Sequence, residues 1–222
     1  MRSVIIYQTP SWLTAFTTGR DSGVEALGLR LEELALPRQV HSDNICWMKA
    51  PGRPEQTDAV ITDQPGLCVC VKTADCIPIL LYDSRKRLVA AVHAGWRGTV
   101  ARIVQKTIKQ MQPQSPDDIH AIIGPGISLE WFEVGDEVYE AFKAEGFPME
   151  RIAKVYPHPL PQGNGEAWHI DLWEANRWLL EEQGVTDIFV EGTCTRTSMD
   201  FYSARRETIN TGRNYNGIFI NS

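Results

Sequence analysis

An α+β fold is predicted by three features of the sequence. Short β-rich runs crowd the first half, helical periodicity enters in the second, and the two do not alternate strictly enough for a doubly wound sheet. The runs at 4–7, 14–17, 59–62, 67–71, 77–82 and 88–93 are rich in Val, Ile and Thr, and several are apolar enough to be buried on both faces. They predict a large sheet or two stacked sheets. Helical spacing follows at 99–111, 134–144 and 172–182; Asp171 is placed to cap the last helix and Gly184 to end it. Strands at 188–191 and 217–220 complete the pattern.

No repeat, low-complexity tract or long linker interrupts the 222 residues, so 1–222 is read as one domain. The formal net charge is −6, far from the basic footprint that binding to phosphate backbones needs, and nucleic acid is not an expected partner. No apolar stretch reaches the length of a membrane span, and the N-terminus has no cleavage-site pattern. Five cysteines cannot all pair, which suits a reducing compartment and thiol or metal chemistry. The expectation is a soluble cytoplasmic protein, a monomer or small homo-oligomer.

The segment 73–111 carries the most chemistry. The runs 77–82 and 88–93 flank the polar stretch Asp83-Ser84-Arg85-Lys86 and read as a β-hairpin. If Tyr82 faces Arg87, antiparallel pairing sets Cys76 opposite His93. Directly opposed β-carbons lie about 4.5–5.5 Å apart, close enough for a thiolate and an imidazole to share one metal ion or one proton. In the helix that follows, Val100, Ile103, Val104, Thr107, Ile108 and Met111 form a buried stripe, and Arg97 falls on its inward side. A cation in a first helical turn opposes the dipole, so Arg97 is expected to meet an anionic ligand, helped by free N–H groups near Gly95 and Gly98.

A metal needs a third ligand, and His41 in the segment LPRQVHSDN is the candidate, with Gln39 and Asp43 placed to orient its ring. His120, His158 and His169 are read as structural or surface residues. Cys68 and Cys70 share one strand face and are read as packing residues, as is Cys46. Cys194 is a candidate for the floor of the site.

Several separated motifs stand in order: RQVHSD at 38–43, KTADCIPIL at 72–80, HAGWRGTV at 93–100, IGPGIS at 123–128, FEVGDEV at 132–138, CTRTSMDFYSARRE at 194–207 and TGR at 211–213. With these the chain resembles the YfiH family, also called the laccase-domain or multicopper polyphenol oxidase family and, in part, peptidoglycan editing factors. The resemblance implies an α-β-β-α sandwich and a zinc centre, or a copper one, ligated by His41, Cys76 and His93. It also implies chemistry on purine nucleosides: phosphorolysis of adenosine, inosine or methylthioadenosine, and deamination of adenosine. The segment before RQVH is shorter than the family pattern.

Within that reading Lys72, Arg97, Arg205 and Arg213 are candidate phosphate or substrate contacts, because oriented cations clamp an attacking phosphate. Asp75, beside Cys76, is the candidate general base. The zinc deaminase signature H-x-E with P-C-x-x-C is absent, so the metal chemistry would be an independent solution. Three alternatives stay open: a copper phenol oxidase, a metal-free cysteine hydrolase with Cys76 as nucleophile and His93 as base, and a non-catalytic peptidoglycan-editing factor. Two His and one Cys match a blue-copper ligand set, but five histidines cannot also supply a trinuclear cluster.

Overall fold

The structure, a computed structural model, describes residues 4–157 and 166–222. His158 lies outside them. The strands are β1 (Val4–Ile6), β2 (Leu13–Thr18), β3 (Leu34–Ala35), β4 (Ile45–Trp47), β5 (Ala59–Thr62), β6 (Cys68–Thr73), β7 (Ile77–Asp83), β8 (Leu88–Ala94), β9 (Ile119–Ile123), β10 (Glu133–Val134), β11 (Ala153–Pro157), β12 (Glu166–Ile170), β13 (Asp187–Val190) and β14 (Asn214–Ile220). The helices are α1 (Trp96–Val100), α2 (Ile103–Met111), α3 (Asp136–Ala144), α4 (Met149–Ile152) and α5 (Leu172–Glu181).

Two mixed sheets stack face to face. One has the order β1-β2-β14-β6-β3 and the other β13-β9-β7-β8-β5-β4, while β10-β12-β11 form a small third sheet. The period of two decides which side chain enters which layer. Val60, Leu80, Val89, Ala91 and Ile122 point into the space between the sheets, where they meet Ala15, Val69, Val71 and Ile218. Their sequence neighbours Ile61, Ile79, Leu81, Ala90 and Val92 point the other way and pack beneath α2 and α5 through Val104, Ile108, Ala175 and Leu179. This double burial explains why 77–82 and 88–93 read as continuous apolar runs. The outer face of the five-stranded sheet is covered more thinly, by single-turn 3-10 helices at Val24–Leu27 and Leu31–Glu33. Cys68 and Cys70 are buried there against Phe16, Leu34 and Leu36, as packing residues. Among the described residues no helix is long and apolar enough to cross a membrane.

Three expectations are corrected. The helix expected over 99–111 is broken: Arg102 takes a left-handed φ of 60° between α1 and α2. Its guanidinium binds Glu182 and the Glu145 carbonyl and lies over Phe147 and Trp178, contacts that hold it at the break. The helix expected from 134 starts at Asp136, because Glu133 and Val134 pair with β12 instead. The hairpin register is shifted by two residues. Asp83 Oδ1 accepts from the N–H groups of Arg85 and Lys86, and Arg87 turns with φ 56°, which makes Ser84–Arg87 a four-residue turn and sets Asp83 opposite Leu88. His93 therefore faces Pro78, and Cys76 lies just beyond the strand. A shift of two preserves which face each side chain uses, so the thiol still approaches the imidazole diagonally. The expected cap of α5 is present: Asp171 accepts from the Glu174 N–H at 2.9 Å.

Candidate functional site

Five strand ends meet at one rim of the sandwich. The start of β7 and the end of β8 are adjacent because the pair is antiparallel, and β5 begins beside them, with Ala59 opposite Val92. From the other sheet come the end of β6 and the start of β14, where Asn214 faces Thr73. The link Ala74-Asp75-Cys76 crosses from β6 to β7, carrying the chain from one sheet to the other.

His41, Cys76 and His93 converge here, with their ligand atoms all within 4.8 Å of one another. The Cys76 sulfur is 3.7 Å from His41 Nε2. Two donors held about 2.0–2.3 Å from one tetrahedral ion are about 3.5 Å apart, so this spacing fits shared ligation. The two imidazole planes stand at 77° with centroids 4.8 Å apart. Gly95 closes the floor: a β-carbon there would lie 2.9 Å from the His41 ring and 3.1 Å from the Cys76 sulfur. An imidazole–thiolate–imidazole set suits zinc or copper, so these residues fit the metal the sequence resemblance implies.

A residue that the sequence reading missed organises the cluster. Asp58 is fully buried at the head of β5 and accepts from His93 Nδ1 at 2.8 Å, which turns Nε2 toward the sulfur side. The same carboxylate accepts from the backbone N–H groups of Val40, His41 and Ser42 and from the Ser42 hydroxyl. These bonds hold His41 at a left-handed φ of 63°, a conformation that a non-glycine residue needs outside help to keep. The available signal was an acid directly preceding the β-rich run Ala59–Thr62. Gln39 and Asp43, expected to orient His41, do otherwise: Gln39 clasps the backbone N–H and carbonyl of Lys72, and Asp43 pairs with Lys106.

Burial works against charge on Cys76, His93 and Asp58, yet their hydrogen bonds and charges win. Burial alone raises the Cys76 thiol pKa, but His93 and the His41 hydrogen bond outweigh it and hold the thiol below its ordinary value. Burial alone lowers the His93 imidazolium, but Cys76 and Asp58 outweigh it and push His93 up. Asp58 itself, opposed by burial but held by His93 and Ser42, drops to about 2.

A cavity of about 360 Å³ opens above the cluster, lined by His41, Cys76 and His93 together with Arg38, Gln39, Lys72, Ala74, Ala204, Ile209 and Arg213. Lys72 and Arg213 are brought together as expected, and Arg38 joins them. Burial, with Arg53 and Arg213 nearby, lowers the Lys72 pKa. Cations crowded in this way favour an anion between them.

The other expected contacts are not at the cavity. Arg97 is exposed and lies over the Trp96 ring, 4.2 Å from its centroid, because α1 turns it outward. The N-terminus of α1 is covered in part by the Ser42 carbonyl near Gly98. Arg205 donates to the carbonyls of Trp131 and Glu133. Asp75 is buried with both carboxylate oxygens engaged, by Thr195 Oγ1 and by the Arg205 N–H, each at 2.7 Å. Cys194 accepts from the Ser128 N–H. His120 pairs with Asp187, and His169 Nδ1 bonds the Leu129 carbonyl.

Fold and site together define a class: a two-sheet mixed α/β sandwich with a His–Cys–His donor cluster at the meeting point of its sheet ends. The chain belongs to the family described as multi-copper polyphenol oxidoreductase laccase, the laccase/YfiH family, whose model matches residues 15–221. It is 44% identical over 205 residues to a purine nucleoside phosphorylase of Bacteroides thetaiotaomicron, covering 85% of this chain and 74% of that one. It is 41% identical over 208 residues to the adenosine deaminase RL5 of an unknown prokaryotic organism, covering 87% and 77%. Among solved structures it matches the hypothetical protein YfiH of Bacillus licheniformis with TM-score 0.83 at 26% identity, over 95% of this chain and 94% of that one. A Neisseria meningitidis protein matches with TM-score 0.86 at 27% identity, over the whole of both chains.

Proposed function

We propose that this protein is a metal-dependent purine nucleoside enzyme that cleaves adenosine, inosine or methylthioadenosine with phosphate and deaminates adenosine. The observation that carries this reading is one cavity holding a His41–Cys76–His93 donor set beside the cations Arg38, Lys72 and Arg213. The names of these relatives support the substrate class.

Phosphorolysis forms a bond between a phosphate oxygen and the ribose anomeric carbon as the bond from that carbon to the purine nitrogen breaks; the purine leaves with the proton that the hydrogen phosphate gives up. Lys72 and Arg213 hold the phosphate, and fixing its position removes much of the entropic barrier. His41, Cys76 and His93 would hold zinc or copper; zinc there would supply Lewis acidity of the kind that lowers the pKa of a bound water from 15.7 to about 7. Asp58 keeps the His93 tautomer fixed for this ligation.

A second reading, a metal-free cysteine nucleophile, draws on the lowered Cys76 thiol beside His93. It leaves His41, 3.7 Å from the same sulfur, without a task. A multicopper oxidase reading finds too few ligands: of the four described histidines, two are bound elsewhere.

The test is metal analysis of the purified protein followed by incubation with adenosine, with and without phosphate. Bound metal, phosphate-dependent release of adenine and formation of inosine are expected, all lost in His93→Ala. A metal-free protein that leaves nucleosides intact overturns the reading.

A further inference from the structure

Asp75 does not have the surroundings of a general base. It stands next to Cys76 with φ 90°, a conformation that non-glycine side chains rarely adopt, and it is 8% exposed. All three of its acceptors are spent on separate parts of the chain. Oδ1 takes the Thr195 hydroxyl, Oδ2 takes the Arg205 N–H, and the carbonyl takes the Ile127 N–H at 2.9 Å. Ile127 and Thr195 are themselves tied, because the Gly126 carbonyl accepts from the Thr195 N–H while the Gly126 N–H donates to the Thr193 carbonyl. Arg205 opens the segment that forms the far wall of the cavity: Ala204, Ile209 and Arg213 line it.

We propose that Asp75 is a positioning residue that bolts the 204–213 wall of the cavity to the backbone carrying Cys76. The proposal rests on the nucleoside reading for what the cavity holds, and on the geometry alone for the bolt. A substrate gripped by Arg213 then meets the donor cluster at a set distance. A held, left-handed backbone beside a ligand is the kind of outlier that marks a pre-organised site.

Asparagine separates positioning from proton transfer. In Asp75→Asn the amide oxygen still accepts the Arg205 N–H, and the amide nitrogen donates to Thr195, whose hydroxyl reverses its role. Asparagine also tolerates positive φ. Asp75→Gly fits the backbone and removes both side-chain bonds.

The test uses the metal-loaded protein in three forms: wild type, Asp75→Asn and Asp75→Gly. For Asp75→Asn, kcat/KM for phosphorolysis is expected within about fivefold of wild type, the order of one weakened hydrogen bond, with the basic limb of the pH profile unmoved. For Asp75→Gly, bound metal is expected to stay at the wild-type level while the KM for phosphate rises and kcat/KM falls by about 100-fold, the scale of a 1 Å misplacement. Amide hydrogen exchange over 204–213 is expected to quicken in Asp75→Gly only. Thr195→Val, which removes one of the two bonds, moves the same way by less.

The proposal is overturned if Asp75→Asn is as inactive as Asp75→Gly, since a carboxylate that moves a proton is then required. It is also overturned if Asp75→Gly loses its metal, or if exchange over 204–213 stays at the wild-type rate. Should wild type process no nucleoside, the nucleoside reading fails, and the exchange and metal measurements still decide the bolt.

Discussion

Two buried carboxylates, Asp58 and Asp75, serve opposite walls of one cavity with different sets of partners. Each oxygen of Asp58 accepts from two N–H groups, which can only donate: Oδ1 from His41 and His93, Oδ2 from Val40 and Ser42, with the Ser42 hydroxyl as a fifth partner. Asp75 faces one N–H and one hydroxyl, and a hydroxyl can either donate or accept. Asp58 touches a candidate metal ligand directly, whereas Asp75 acts through the chain on either side of it. The same substitution should therefore have opposite outcomes, because an amide nitrogen placed among donors leaves buried N–H groups unpaired.

The largest expected effect follows from that difference. Asp58→Asn should lower metal affinity by about 10–100-fold, as loss of an outer partner of a ligating histidine does, measured by competition with a chelator. Equal metal affinity in Asp58→Asn and Asp75→Asn would erase the distinction between the walls. Next in size, Lys72→Ala should raise the KM for phosphate by about tenfold, a charge-assisted contact of roughly 1.4 kcal/mol, with metal content unchanged. A change in metal content instead would place Lys72 with the Asp58 wall.

Smaller effects fall outside the cluster. Asp171→Ala removes the cap of α5 and should cost about 1 kcal/mol in denaturant unfolding with kcat/KM unaltered. The smallest concerns Glu207, behind the Asp75 wall, where Thr211, then Arg20 and Arg206, hold its carboxyl at about 2. Its folded pKa lies below the unfolded value of about 4.3, so its stabilisation is present above that value and is lost as pH falls toward 2. The melting temperature of Glu207→Gln should depend less on pH between about 5 and 2 than that of wild type. Parallel curves would show that the ion pairs around Glu207 contribute nothing.

β1, β2, β5–β8, β13 and β14 of the two large sheets, with α5 and its cap, were legible because the signals are local: β-rich runs, helical spacing, and an Asp before a helix. The convergence of Cys76 and His93 was legible for a related reason, since one hairpin carries both. The register missed because the turn is set by the Asp83 side chain bonding two following N–H groups, a choice that strand patterns do not encode. Arg97 was placed inward by extending one helical stripe through a chain that breaks at Arg102. Asp58 and Arg38 were missed as site residues because the β5 and 38–42 segments meet only through long-range contacts.

The central claim is that His41, Cys76 and His93 jointly hold one metal ion. Its most direct test is the metal-to-protein ratio of wild type and His41→Ala, each loaded with zinc and dialysed against a weak chelator. Close to one ion per chain in wild type and almost none in His41→Ala is the predicted result. Wild-type retention in His41→Ala, or an ion-free wild type with full activity, would contradict it.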